Sequence, residues 1–275
     1  MAQGSAAITG YYGDFTVTIS VVVKAKSTNT GETVTTEPST GTDTNTNTDT
    51  SGEVPVTPAP SNLFNSSAIL SDAGVLQHLN ALLESGTGTA SFSDVGTHWA
   101  QKAIALFSKL NVVDGYGDGS FKPNAAVTRA EFAVLIDRVF NIVSGGTHQA
   151  VMNDISSHWA EDTITKLTSA GVLNGYGSSF RPDQNISRAE MVAVISRIVN
   201  LNATANSGTN ATFSDVGGSF AAGQIAAAAG AGIVSGKGGG KFDPGASSTR
   251  AEAVTVLLNT LKLSPEIKAF LDALE

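Results

Sequence analysis

The fold of this chain is decided by the stretch TRAEFAVLIDRVF at residues 128–140. Thr128 is followed three residues later by Glu131, which is the spacing of a capping box: the hydroxyl accepts from the N3 amide, and the carboxylate accepts from the N-cap amide. The apolar residues that follow lie at the spacing of one helix face: Phe132, Leu135, Ile136 and Val139. The stretch therefore predicts an amphipathic helix that begins immediately after the threonine.

One residue of this stretch is not explained by helix formation. Arg129 occupies the first helical position, where the positive end of the helix dipole disfavours a cation by a few tenths of a kcal/mol or more. The same pattern returns as SRAE at 187–190 and as TRAE at 249–252, so Arg188 and Arg250 stand at equivalent positions. Arginine placed three times at the unfavourable end of a helix needs a reason beyond the helix itself.

The capping boxes belong to a longer internal repeat, whose copies begin at Phe92, Met152 and Phe213. The aspartate of the opening motif recurs at positions 94, 154 and 215, and a proline precedes each repeated arginine by six residues. Each copy contains two amphipathic stretches joined by a glycine-rich turn, which predicts helix–turn–helix. Two short helices bury too little surface to stand alone, so the three copies must share one all-α core.

Composition excludes several classes of protein. Lys plus Arg number 16 against 24 Asp plus Glu, a net charge of −8, which argues against a nucleic-acid partner. The absence of cysteine excludes a disulfide framework and thiolate metal sites. No apolar run approaches the length of a membrane span, so we expect no membrane insertion. The first residues lack the pattern of a signal peptide, so we expect this chain to be a piece of a longer exported protein.

Three segments precede the repeats. Residues 1–26 contain an alternating apolar and polar stretch at 11–26, which predicts a lone β-strand left from an upstream β domain. Residues 27–60 are dominated by Thr, Asn, Gly and Pro, which predicts a disordered, solvated linker. Residues 61–90 regain leucine at helical spacing and predict a short helical preface.

The repeated motifs identify a family. Phe-x-Asp-Val/Ile at the start, His-Trp-Ala, Gly-Tyr-Gly before Phe-x-Pro, and the Thr-Arg-Ala-Glu box together resemble the S-layer homology (SLH) repeat. We place the copies at 91–146, 147–206 and 207–263, with a final helix at 264–275. The resemblance implies a pseudo-threefold helical module around a central bundle. It also implies binding to a secondary cell-wall polysaccharide of bacteria, often through pyruvylated amino sugars, and an extracellular place in the cell wall or S-layer.

The resemblance also offers a reason for the arginines. A helix N-terminus presents free amides and a positive dipole end, which favour an anion. The guanidinium of Arg129, Arg188 or Arg250 adds a fork that fits a carboxylate or phosphate. An acidic wall polymer would supply that anion. The alternative is an ion pair inside the module, with a carboxylate of a neighbouring repeat.

Other candidate ligand-binding residues also keep a structural alternative. Asp94, Asp154 and Asp215 could accept from sugar hydroxyls or hold a turn ahead of the first helix of each repeat. Trp99 and Trp159 could stack on sugar rings or lie in the core. Tyr116 and Tyr176 follow a turn glycine and are expected to be accessible along the groove. The sequence indicates no cofactor and no metal, because His98 and His158 have no equivalent in the third copy, where Ser219 stands.

The third copy departs from the other two. Its tryptophan position holds Phe220 and its turn tyrosine position holds Lys237, whereas Arg250 and the capping box remain. We therefore predict that the third groove binds weakly or only completes the fold.

Three functions are compatible with these observations. The first is a non-catalytic wall-anchoring module. The second is the C-terminal part of a surface glycoside hydrolase, with carboxylates such as Glu131 and Asp94 as acid and base. The third is a structural S-layer component whose partners are other S-layer subunits. Triplication favours multivalent binding over a single reaction centre, so the chain is predicted not to be an enzyme.

Overall fold

A computed structural model describes residues 4–12, 15–23, 63–65, 69, 71–86, 91–143, 152–201 and 212–275. The chain divides into two compact units, Met1–Val56 and Thr57–Glu275. None of the helices in the described part combines the length and hydropathy needed to cross a bilayer.

The N-terminal unit contains a β-hairpin. Strand β1 spans Gly4–Tyr12 and strand β2 spans Phe15–Val23, and the two pair antiparallel with Ile8 opposite Ile19. The predicted strand is therefore present but it is not alone. The apolar and polar residues alternate clearly after Phe15, which predicted β2. In β1 glycine and alanine interrupt this alternation, so the sequence did not predict the partner strand. The predicted linker at 27–60 lies outside the described residues.

The second unit is helical. Its helices are α1 Asp72–Ser85, α2 Gln101–Lys109, α3 Arg129–Phe140, α4 Glu161–Ser169, α5 Arg188–Ile198, α6 Ala222–Gly230, α7 Arg250–Leu261 and α8 Pro265–Asp272. All three predicted capping boxes are formed, at the starts of α3, α5 and α7. In the first, Thr128 Oγ1 accepts from the Glu131 amide at 3.1 Å while the Glu131 carboxylate accepts from the Thr128 amide at 2.8 Å. Local sequence therefore fixes where the second helix of each repeat begins.

The repeats pack in a closed cycle. Helix α3 packs on α4 and α5 packs on α6, so the second helix of one repeat contacts the first helix of the next. Helix α7 then packs on α2, which returns the cycle to the first repeat. Short antiparallel bridges follow the same order and join Thr128 to Asn185, Ser187 to Ser247, and Thr249 to Ala126. This cyclic contact order is what places residues of different repeats in one groove.

One continuous apolar core runs through the three repeats. Equivalent phenylalanines at 121, 180 and 242 are fully buried, one in each repeat. Helix α1 packs against α3 and α8, and Phe64 bridges to Val199 at the end of α5. The segments before and after the repeats therefore share the same core.

Candidate functional site

Within the described helical residues, three surface grooves at equivalent positions are each built from all three repeats. A groove takes its arginine from one repeat, its carboxylate from the next, and its exposed aromatic ring from the remaining one. Groove A contains Arg129, Tyr176, Glu190, Arg197 and Phe220. Groove B contains Arg188, Lys237, Glu252 and Trp99. Groove C contains Arg250, Asp114, Glu131, Arg138 and Trp159.

The grooves differ in size. Their volumes are about 480 Å³ for B, 210 Å³ for A and 160 Å³ for C. Protein sites for small ligands typically measure about 300–1,000 Å³, so of these three only groove B lies in that range.

The repeated arginine reaches into the neighbouring repeat. Arg129 Nε donates to the Phe180 carbonyl at 2.8 Å, and its Nη2 donates to the Asn174 carbonyl at 3.0 Å. Its Nη1 pairs with Glu190 Oε1 at 2.7 Å. Tyr176 donates to the same carboxylate oxygen. The arginine therefore ties the first repeat to the turn and the capping box of the second.

The other two arginines repeat this geometry around the cycle. Arg188 Nε donates to the Phe242 carbonyl at 2.8 Å, and its Nη1 pairs with Glu252 at 2.9 Å. Arg250 Nε donates to the Phe121 carbonyl at 3.0 Å, but its Nη1 lies 3.9 Å from Glu131, the loosest of the three pairs. The intramodule ion pair, which the sequence left open as an alternative, is therefore present at all three sites.

The amides at these helix starts are already occupied, which corrects the expectation of free amides. The Arg129 amide donates to the Gln184 carbonyl at 2.9 Å, and the Ala130 amide donates to the Pro182 carbonyl at 3.0 Å. The capping box satisfies the amides of Thr128 and Glu131. Equivalent bonds occur at Arg188 and Arg250. What each groove offers an anion is thus a guanidinium fork rather than a bare helix end.

The aspartates hold the Phe-x-Pro loop. Asp94 accepts from the Phe121 and Lys122 amides, both at 2.8 Å, and these bonds lower the pKa of its carboxyl. Asp154 does the same for Phe180 and Arg181, and there the amide bonds outweigh burial, so the pKa is again lowered. Asp215 makes the equivalent pair with residues 242 and 243. These three aspartates do not line grooves A, B or C.

The tryptophans are surface residues, so the core alternative is wrong for them. Trp99 and Trp159 are 64 % and 65 % exposed, and Phe220 at the equivalent position is 71 % exposed. The structure brings Trp99 together with Arg188 in groove B and Trp159 together with Arg250 in groove C. Their exposure leaves the ring faces open to a ligand.

The tyrosine rings of the turns lie close to the guanidinium groups of two repeated arginines. The Arg129 guanidinium lies 5.0 Å from the Tyr176 ring centre, and that of Arg250 lies 5.1 Å from the Tyr116 ring centre. Both distances suit a cation–π contact. Lys237 takes this position in groove B and pairs with Glu252. The two substitutions of the third repeat therefore lie in different grooves: Phe220 in groove A and Lys237 in groove B.

His98 and His158 hold the turn that precedes the first helix of their repeats. His98 Nδ1 accepts from the Ala100 amide at 3.2 Å, so its Nε2 carries the proton and donates to Asn124 Oδ1. His158 makes the same bond to Ala160. In the third repeat the Ser219 hydroxyl accepts from the Ala221 amide, which explains why serine replaces histidine there.

Two groups of groove residues were not among the predicted site residues. Glu190 and Glu252 were assigned only to the capping boxes, although they also pair with arginines of the preceding repeat. Arg138 and Arg197 were not assigned to a site. Each follows the repeated arginine by nine residues, on the groove side of the same helix, and that spacing was a visible signal.

Two of the groove carboxylates have a lowered pKa. Burial raises the pKa of Glu190, but bonds from Tyr176 and Ser187 outweigh it and leave the pKa below its ordinary value. Burial also raises the pKa of Glu252, but the bonds from Lys237 and Thr249 together with the charge of Arg188 outweigh it. The ionised form of each carboxylate is therefore favoured beside its arginine.

Comparison with known proteins agrees with this architecture. The S-layer homology domain matches at residues 91–133, 152–192 and 212–254. The chain is 33 % identical over 187 residues to an amylopullulanase of Thermoanaerobacterium thermosulfurigenes, covering 64 % of this chain and 10 % of the relative.

Two further relatives are not named as enzymes. A cellulosome-anchoring protein of Acetivibrio thermocellus is 38 % identical over 113 residues, covering 39 % of this chain and 25 % of the relative. An S-layer protein of Bacillus licheniformis is 33 % identical over 107 residues, covering 38 % of this chain and 12 % of the relative. The chain thus spans a quarter or less of the length of these three relatives. Its three helical repeats belong to the S-layer homology family.

Proposed function

We propose that this chain is a non-catalytic anchoring module that binds an acidic secondary cell-wall polysaccharide and holds an exported protein or an S-layer on the bacterial surface. The observation that carries the proposal is the composite groove, in which an oriented guanidinium lies beside an exposed ring. The fork would bind a carboxylate such as a pyruvate ketal, and the ring would stack on the apolar face of a sugar.

The arginines keep capacity for a ligand in spite of their internal pairs. A guanidinium has five N–H donors, and Arg129 spends one from each of its three nitrogens on the neighbouring repeat. Two N–H donors remain, on a guanidinium whose orientation is already fixed. Such preorganisation lowers the entropy cost of binding. The internal pair and a ligand contact are therefore compatible.

A hydrolase site is disfavoured by the same geometry. A general acid for glycoside cleavage needs a carboxyl whose pKa is raised, whereas that of Glu190 is lowered. Asp94 spends both oxygens on loop amides. In an enzyme such as the amylopullulanase relative, catalysis would belong to the rest of that longer chain.

Repetition fits a polymer ligand. Two or more weak sites on one module, facing a polymer of repeating units, gain avidity because the second contact forms at a high effective concentration. The names of the anchoring and S-layer relatives favour the cell surface as the place of action. Other S-layer subunits remain a second class of partner.

Retention on purified wall sacculi tests the proposal. We expect the chain to sediment with native sacculi and to stay in solution after the secondary polymer has been extracted with acid. Retention that survives extraction would instead indicate peptidoglycan or protein as the partner. Release of reducing sugar from the polymer would overturn the non-catalytic assignment.

A further inference from the structure

We propose that the three grooves are not equivalent: grooves A and B bind the acidic saccharide, and groove C is switched off by one carboxylate, that of Asp114. The residues that decide this are Arg197 in groove A, Lys237 in groove B and the pair Arg138–Asp114 in groove C. The inference rests on the proposed function, because it assumes that the ligand carries a negative charge.

The second cation of groove A comes from the end of the second helix in the repeat. Arg197 Nη1 donates to the Val172 carbonyl at 3.2 Å, and Arg138 makes the same bond to Val112 at 3.1 Å in the first repeat. Asn259 occupies this position in the third repeat and donates to Ile233 at 3.1 Å. One structural bond is thus kept in all three repeats, while the charge of its donor differs.

Groove A leaves its second guanidinium without a carboxylate. The residue that faces Arg197 is Asn174, whose amide, oriented to satisfy both neighbours, accepts from Arg197 Nη2 at 3.1 Å. No ion pair of Arg197 occurs within the described residues. Groove A therefore has two guanidiniums against one carboxylate, Glu190, and Arg181 at the Tyr176 ring adds a further cation at its rim.

Groove B gains its second cation from the turn. Lys237 stands where the other repeats have tyrosine, and it shares the Glu252 carboxylate with Arg188. One carboxylate thus faces two cations, and Lys237 is 45 % exposed on its side chain. Trp99 completes the groove. Its lining, like that of groove A, carries a net positive charge.

Groove C is neutral. Its two guanidiniums face two carboxylates, because Arg138 Nη1 pairs with Asp114 at 3.2 Å and Arg250 lies near Glu131. At its rim Lys122 pairs with Asp118 at 3.5 Å. An incoming carboxylate would meet the field of Asp114 and would have to displace it from Arg138.

Aromatic residues alone would give the opposite ranking. Groove C contains Trp159, and its Arg250 also lies 5.1 Å from the Tyr116 ring centre, whereas A has phenylalanine and B has lysine at one of those two positions. The charge balance and the aromatic content of the grooves therefore predict different rankings, and a charged and a neutral ligand distinguish between them. An acidic sugar should prefer A and B, and its neutral ester should prefer C.

The two tryptophans of the chain make the test direct, because one lies in groove B and the other in groove C. The probe is the 4,6-pyruvate ketal of a methyl N-acetylhexosaminide, compared with its methyl ester. In an NMR titration of the indole N–H signals, we expect Trp99 to report binding of the acid about tenfold tighter than Trp159. Calorimetry should find two sites, one of which is lost in Arg197→Gln.

The decisive variant is Asp114→Asn, which gives groove C the chemistry that Asn174 gives groove A. Asp114 is 71 % exposed on its side chain, so the substitution should leave the fold intact. We expect the Trp159 signal of Asp114→Asn to report tighter binding of the acid by about tenfold, with no gain for the ester. Asp118→Asn, which removes an exposed carboxylate at the rim, is the matched control and should have a smaller effect.

Either of two results would overturn the inference: equal affinities at Trp99 and Trp159 in the unmodified chain, or no gain in Asp114→Asn. Retention of the same protein on sacculi reports the anchoring function separately. A chain that is retained while both indoles respond alike refutes the groove ranking and leaves anchoring intact. A chain that is not retained refutes the anchoring function itself.

Discussion

At the scale of single residues, the repeated arginine illustrates how a local cost is offset by a distant partner. The first position of a helix disfavours a cation, yet Arg129 is only 6 % exposed on its side chain and pairs with Glu190, which is 12 % exposed. That carboxylate also caps the next helix of the cycle. One glutamate thus satisfies a helix start in its own repeat and the arginine of the repeat before.

The first stability prediction concerns this pair. Arg129→Ala would leave Glu190 buried without its cation, and removing one partner of a buried pair costs about 3–5 kcal/mol. Arg250→Ala should cost less, because Glu131 is 32 % exposed and lies 3.9 Å from the guanidinium. Urea unfolding of the two variants measures the difference. Equal losses of unfolding free energy would show that the pairs contribute alike.

The sequence predicted contacts between residues that are close along the chain, but not contacts between residues of different repeats. The capping boxes were predicted correctly, because Thr128 and Glu131 are three residues apart and their bonds are local. The partner of Arg129 lies 61 residues away, and the sequence left an anion and an internal carboxylate as alternatives. Only the closed contact order decides that Glu190 fills this role.

At the scale of elements, the turn between the two helices of each repeat depends on a glycine with no space for a side chain. A Cβ added at Gly175 would lie 2.6 Å from the Ser179 carbonyl oxygen and 2.6 Å from the Met152 sulfur. Gly115 and Gly236 meet the equivalent backbone oxygens at 2.8 and 2.7 Å. The glycine of the Gly-Tyr-Gly motif is therefore required by close packing of the turn on the opening residue of the repeat.

The second stability prediction tests this packing. Gly175→Ala should lower the free energy of unfolding by about 1–3 kcal/mol, the cost of overpacking, because the backbone oxygen cannot move aside without breaking the turn. Gly96→Ala is the matched control, since a Cβ there meets nothing within 4 Å. Thermal unfolding followed by circular dichroism compares them. Similar midpoints for the two variants would contradict the prediction.

At the scale of the whole molecule, the repeat period predicted the helical architecture but not the composition of the grooves. Periodicity identifies which residues are equivalent, as with Trp99, Trp159 and Phe220. It does not say which repeat supplies the arginine that each ring faces, because that depends on closure of α7 onto α2. The substitutions of the third repeat consequently fall in grooves A and B, whereas Arg250 completes groove C.

The closed cycle also makes the stability of the helical unit sensitive to acid. The pKa values of Glu190 and Glu252 are lowered in the folded chain, so the unfolded chain binds more protons as pH falls. The stability that these carboxylates contribute is fully present above about pH 4.5 and is lost as pH falls through their folded pKa values. Urea midpoints should therefore decline as the pH falls below about 4.5.

Glu190→Gln identifies the source of this decline. The variant should be less stable at neutral pH, because it leaves Arg129 without a charge partner. Its stability should nevertheless fall less than that of the unmodified chain as the pH drops below about 4.5, since one linked proton is removed. Asp162→Asn, at an exposed carboxylate on α4, is the control, and it should keep the full slope. An unchanged slope in Glu190→Gln would place the acid sensitivity outside the inter-repeat pairs and weaken the view that these pairs close the cycle.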